Sequence, residues 1–451
     1  MLKLSGPLAS IPGLCAANPS EALIQRIVSL LPKTMDDWEQ WLQCVKHNRV
    51  ETQVLSSITK NNLAAPRWVV AALEDRTNTV RLQNRLRRTN FLRLLAVLRE
   101  KNVPVILLKG NAIAKEIYGD YDYKQMNDMD LLFKRESLDL LQAIYKEQNY
   151  LTIGALGKNP RDQEKFSHHW PMYFNRDLTL FLGTHWNLIN PLSKIKIDPN
   201  DLWSRAEPLF YEGYEILRLC KEDFLHHLCI HLSPYKVGAK ELADIYNSLA
   251  YWKSLNWSLF DQIVADAQSY DSVYRALSLS QALMFLNPVQ EFLDSIRIKV
   301  SPAVLNEVEK RLDVAETILH TRTNHISKIE KTYALFSLTE NPIEKTYLLG
   351  QMWKLYLFPP LSDAAHLCFE IEPTFKLKQL ICRIKAPFII SQAFANDLGW
   401  KVFVLVTLSH QWNALKAWFL FLTQFRFRGL NQKAKDLGIN LQQLRTIAAL
   451  D

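Results

Sequence analysis

Three short apolar runs rich in branched or aromatic residues, "VPVILLKG" (103–110), "DMDLLF" (128–133) and "LTLFLGTHW" (178–186), interrupt a chain whose other apolar residues recur at helical spacing. Runs of this length fit buried strands. Between them, "NAIAKEIYG" (111–119) reads as a helix closed by Gly119, and "RESLDLLQAIYKEQNY" (135–150) as a helix with Ser137 as its N-cap. The order helix, strand, helix, strand, helix, strand leads to an α+β fold, a small mixed β-sheet core with helices embedded in a mostly α-helical chain. Only 13 glycines in 451 residues argue against a turn-rich all-β protein.

Toward the N-terminus, "SEALIQRIVSLL" (20–31) has Ser20 where an N-cap belongs. A long basic helix follows (79–102), with Arg81, Arg85 and Arg88 at i, i+4 and i+7 on one face. That face reads first as solvated and second as a phosphate-binding stripe. After Asp201 the strand signals fade into helices such as "KEDFLHHLCIHLSPY" (221–235) and "AKELADIYNSLAYW" (239–252). The expected organisation is a helical segment at 1–78, a core at 79–195, a helical domain at 196–320 and a helical region at 321–451.

Between Val402 and Phe425 the chain is long and apolar enough to span a bilayer, but Ser409, His410, Gln411, Asn413 and Lys416 run through its middle. A buried or interfacial helix is expected there, with no stable membrane insertion. Six cysteines, Cys15, Cys44, Cys220, Cys229, Cys368 and Cys382, show no CxxC spacing, and the opening residues lack the cationic flank and apolar core of a secretion signal. Both points lead to a cytoplasmic expectation. A net charge of +8 favours polyanionic partners.

The chemistry concentrates in residues 104–134. Strand alternation puts Asp128 and Asp130 on one face and turns Met129 to the core. Two carboxylates so placed repel unless a cation joins them, and oxygen donors of this kind suit Mg²⁺ (or Mn²⁺) bridging to nucleotide phosphates. Lys109-Gly110, where a strand turns into a helix, supplies a complementary anion site of backbone N–H groups and an ammonium. Taken alone, each motif equally describes a solvated strand end or an ordinary turn.

Together with "LLKGNAIAKEIYG", "KQMNDMDLLF", "HHWPMYF", "THWNLI" and "LCKEDFLHHLCIHL…KELADIYNSL", these residues resemble a bacterial nucleotidyltransferase family of the polymerase-β-like superfamily, over roughly residues 80–250. The resemblance implies that Gly110 lies in the nucleotide-binding turn and that Asp128 and Asp130 are catalytic and hold the metal. It places His169 and His185 beside the cleft and allows a cleft-lining role for Lys240. Lys124 stands where such proteins usually carry arginine, which keeps charge and loses bidentate recognition.

One position departs from the pattern. The third carboxylate of the superfamily is expected two residues before the histidine of "HW", and this chain has Gly183 there. Asp162, Glu164 and Asp177 are candidate substitutes. His227 and His231 have the i, i+4 spacing of a zinc pair but no partner at a recognisable interval, so packing is the expected role, as a surface ion pair is for Lys240 and Asp244.

The resulting expectation is a Mg-dependent transfer of a nucleoside monophosphate from a nucleoside triphosphate to an acceptor hydroxyl or phosphate, with pyrophosphate released. The acceptor is open among small molecules, peptides, proteins and RNA. The alternatives are a catalytically impaired nucleotide-binding protein, suggested by Gly183, and an RNA-directed toxin or tailoring enzyme, suggested by the positive charge.

Overall fold

Pro104 has no N–H to donate, and the first apolar run pairs as a strand only over β1 (Ile106–Leu107). The second and third runs give β2 (Met129–Leu132) and β5 (Phe181–His185), every residue of which is buried. These assignments come from a computed structural model, which describes residues 6–152, 167–189, 191, 193–232, 238–284 and 289–313, with isolated positions between 347 and 391. The stretch 402–425, Asp162, Glu164, Cys368 and Cys382 lie outside the described residues.

Residues 1–152, 163–190 and 195–322 make one compact unit; 153–162, 191–194 and 323–451 belong to a second. In the first unit, β3 (Leu151–Thr152), β4 (Tyr173–Phe174), β6 (Glu207–Tyr211) and β7 (Tyr214–Arg218) complete a sheet of order β3-β4-β5-β2-β1-β7-β6. β1 runs antiparallel to β2 and parallel to β7, and β2 runs parallel to β5 with Asp130 beside Gly183 and Leu132 beside His185. The "DMD" and "HW" runs are therefore neighbours, and Asp130, Gly183 and His185 share one face.

The hairpin β6–β7 corrects the expectation that strands end near Asp201. Its two-residue turn, Glu212 (φ 48°) and Gly213 (φ 84°), has both central residues in the left-handed region, as a tight hairpin requires. The signal was present in "EPLFYEGYEILR", where exposed and covered residues alternate along β6.

Fourteen α-helices lie among the described residues. The first five are α1 (Ser10–Leu14), α2 (Glu21–Leu30), α3 (Met35–Asn48), α4 (Glu51–Lys60) and α5 (Arg67–Glu100), and α6 (Lys109–Tyr118) and α7 (Leu138–Glu147) flank β2. α8 (Pro199–Arg205) precedes the hairpin. The helical layer beyond it holds α9 (Lys221–His231), α10 (Ala239–Tyr251), α11 (Trp257–Asp266), α12 (Tyr270–Met284), α13 (Gln290–Ile296) and α14 (Pro302–Asp313). Ser20 caps α2, its Oγ accepting from Leu23 N–H at 3.3 Å. Ser137 does not cap α7: a 3₁₀ turn over Arg135–Ser137 leads straight into the helix, leaving Ser137 with helical angles and no capping bond.

At 34 residues, α5 extends roughly 50 Å and runs unbroken through the boundary expected between 78 and 79. Its buried residues Val69, Leu73, Thr77, Val80, Asn84, Arg87, Phe91, Leu94 and Leu98 recur every three or four positions, forming the stripe that faces the core. Among the described residues no helix is long and apolar enough to cross a membrane.

Candidate active site at the β1–α6 turn

α6 starts where β1 ends, and its first turn carries no acidic residue and no side-chain cap. Its leading N–H groups and positive dipole end are thus left for an anion. Lys109 adopts φ 54° at this junction, a left-handed conformation that costs a side-chain-bearing residue about 1–2 kcal/mol. Gly110 follows for want of space: a Cβ there would stand 2.7 Å from Lys124 Nζ. At the other end Gly119 (φ 72°) terminates the helix, its N–H bonding Lys115 O at 3.0 Å.

Asp128 lies half-buried just before β2, its carbonyl receiving Asn111 Nδ2 of α6 at 2.8 Å. Asp130 is buried within the strand. Its Oδ2 meets Lys109 Nζ at 2.5 Å, and its Oδ1 meets His185 Nε2 at 2.9 Å. Burial alone would raise the Asp130 carboxyl, but the Lys109 charge and then the His185 hydrogen bond outweigh it and hold the group well below the usual carboxylate range. Burial likewise works against the Lys109 ammonium, and the charges of Asp130 and Asp128 overcome it, raising its pKa.

Histidines line this pair. Ring centroids of His168 and His169 lie 5.5 and 5.1 Å from that of His185. Burial, then its histidine neighbours and Lys109, push His168 down to about 3, and His169 is lowered chiefly by burial. His227, expected as packing, is buried and so near the site that, after burial, the charge of Lys109 is the largest influence lowering its pKa. Nδ1 of His168, His185 and His227 is buried without a hydrogen-bond partner. His231, one turn beyond His227, is exposed, its ring centroid 6.1 Å from that of His227, and among the described residues the pair gains no third His, Cys, Asp or Glu ligand.

Two other expected site residues are placed differently. Lys124 is buried, its Nζ bridging both carboxylate oxygens of Asp244, while Tyr118 Oη donates to Asp244 at 2.6 Å. It stands behind Gly110 rather than in open reach of a phosphate. Lys240 Nζ donates to Gln125 O at 2.8 Å, and Asp244, expected as its surface partner, serves Lys124 instead. Nothing local in the sequence marks the Lys124–Asp244 pair, since its members lie on separate elements. Asp244→Ala would leave an ammonium buried without its carboxylate, and chemical unfolding is expected to show a loss of about 3–5 kcal/mol.

The basic face of α5 also has a structural task. Arg85 Nε and Arg88 Nη1 each reach Asp122 at 3.2 Å, which ties the loop before β2 to the helix; Arg81 is exposed. Asp177, a candidate third carboxylate, is exposed in the β4–β5 turn.

The donor set fits one oxygen-preferring divalent cation. Asp130 is held ionised, and the Lys109 ammonium already stands in as a cation against it. Among the described residues nothing supplies a third carboxylate for a second ion. Gly183 brings no carboxylate, and a Cβ there would lie 2.2 Å from Asp130 Oδ1 and 3.1 Å from His185 Nε2. Among the described residues no group of three or more His, Cys, Asp or Glu side chains is arranged to hold a metal.

A family model described as "Uncharacterised nucleotidyltransferase" matches residues 34–285, more than half of the chain. The chain belongs to that nucleotidyltransferase family. No curated protein and no solved structure matches it. The matched span covers α3 to α12 and so the whole sheet, and nucleotidyl transfer is the general chemistry of the family.

Proposed function

We propose that this nucleotidyltransferase is Mg²⁺- or Mn²⁺-dependent and moves a nucleoside monophosphate from a nucleoside triphosphate to an acceptor oxygen, releasing pyrophosphate. The observation that carries the reading is a buried Asp130, held by Lys109 at 2.5 Å and His185 at 2.9 Å with Asp128 two residues before it, set beside the uncapped start of α6. A divalent cation held by the two aspartates would neutralise triphosphate charge and assist departure of pyrophosphate. The α6 N–H groups and Lys109 orient the phosphates, and Gly110 lets them approach the backbone. His185 fixes the Asp130 carboxylate through Nε2. His169, kept largely neutral by burial, offers a hydrogen bond at the cleft rather than a charge. In the transfer the acceptor oxygen bonds the α-phosphorus in line as the α–β phosphoanhydride bond breaks.

Gly183 narrows the acceptor. A hydroxyl must lose its proton to a base, and Gly183 supplies no carboxylate to take it; a phosphate monoester arrives already ionised. On that ground a phosphate acceptor is proposed ahead of an alcohol. Titration calorimetry of each nucleoside triphosphate, with and without Mg²⁺, tests the reading when released pyrophosphate is assayed in the same samples with phosphate monoesters or alcohols added. Metal-dependent binding and release on adding a phosphate monoester are expected. Tight binding without release under any acceptor would establish the second reading, a nucleotide-binding protein without turnover, which the saturation of both Asp130 oxygens favours.

A further inference from the structure

Most chains place glycine or asparagine at a left-handed junction, and this one has lysine at φ 54°. The strain is tolerated because the side chain has a destination: Nζ lies 2.5 Å from Asp130 Oδ2 and also feels the charge of Asp128. The Lys109 side chain is 25% exposed while that of Asp130 is 7% exposed, so the lysine is the more accessible member of the pair. Its four-carbon stem allows it to move without disturbing the backbone. The other Asp130 oxygen is fixed by His185, which is buried, and no carboxylate at 183 can share the load.

We infer that Lys109 is a displaceable counter-ion: it neutralises the Asp128/Asp130 pair before the metal arrives, and it gives up Asp130 when a nucleoside triphosphate is present to receive it. Free divalent cation alone must drive a like charge off its ligand and binds weakly. A metal–nucleotide complex brings both the replacement cation for Asp130 and the phosphate oxygens for the lysine. Metal loading is thereby coupled to nucleotide binding, and the buried Asp130 is never left without a counter-charge. The inference rests on the proposed metal-dependent function.

The test is Mn²⁺ binding to the full-length protein without nucleotide, followed by electron paramagnetic resonance, in wild type, Lys109→Met and Lys109→Gly. The glycine variant removes the ammonium and the backbone strain together, so it keeps the test open if the methionine variant folds poorly. Removing a positive charge next to the ligand oxygens is expected to tighten Mn²⁺ at least about tenfold. In parallel, calorimetry at saturating Mg²⁺ is expected to show nucleoside triphosphate bound about tenfold more weakly, for loss of a charge-assisted contact. The two effects have opposite signs, whereas loss of a purely structural residue would weaken both. Unchanged or weaker Mn²⁺ binding by the Lys109 variants overturns the counter-ion role. If Mn²⁺ binding to Lys109→Gly also survives Asp128→Asn/Asp130→Asn, the metal assignment itself is wrong. If wild type shows metal-dependent pyrophosphate release but the variants bind Mn²⁺ no more tightly, only the role of Lys109 fails.

Discussion

Asp128→Asn is expected to lower kcat/KM for nucleotidyl transfer by at least about 10²–10³-fold while leaving the thermal transition nearly in place. The amide keeps the shape of the side chain and removes the charge that would hold a cation on the triphosphate. Asp128 is half-buried ahead of β2, and Asp130 still pairs with Lys109 when position 128 is neutral. Asp130→Asn should differ in a measurable way. It removes the buried partner of Lys109 and His185, so activity and about 3–5 kcal/mol of stability are expected to fall together. Pyrophosphate release and calorimetric unfolding of the two variants side by side separate chemistry from folding, and wild-type turnover in Asp128→Asn would sink the site assignment.

Gly183→Ala is expected to destabilise the protein by about 1–3 kcal/mol and to lower activity, although it adds a single methyl group. That methyl would stand 2.2 Å from Asp130 Oδ1, well inside contact distance. The oxygen cannot swing away cheaply, because His185 and Lys109 hold the carboxylate from both sides. Gly183→Asp, which would write the missing third carboxylate back into the chain, should be worse still, adding a second negative charge beside a buried one. Urea unfolding and pyrophosphate release on both variants check this; higher turnover in Gly183→Asp would mean that the site relaxes to accept two ions and that the register argument is wrong.

Local features were legible in the sequence where one element decides them. The core order of strands and helices followed from apolar periodicity, and the Ser20 cap and the Gly119 terminus from residue type, whereas the pairing that sets Asp130 beside Gly183 came only with the fold. The family resemblance, carried by the same motifs, agrees with the family match. What remained hidden was non-local. No sequence spacing tells Lys124 to choose Asp244, brings His227 near Lys109, or turns Arg85 and Arg88 onto Asp122. The β6–β7 hairpin differs in being local: a Glu-Gly turn with alternating flanks marks it within twelve residues, 207–218.

Loops between regular elements are ordinarily where a lineage tries insertions. The segment from Gly119 to Asp128 has no regular secondary structure, yet it is fastened from two sides: Asn84 and Arg76 of α5 hold Lys124 O and Gln125 Oε1, and Lys240 and Asp244 of α10 hold Gln125 O and the Lys124 ammonium. Its length is set by the gap between two helices that are remote in sequence. Drift at Asn84 or at Asp244 therefore has to be answered by drift in the loop and in the opposite helix. The three segments are therefore one mechanical part, although the chain writes them as three separate pieces.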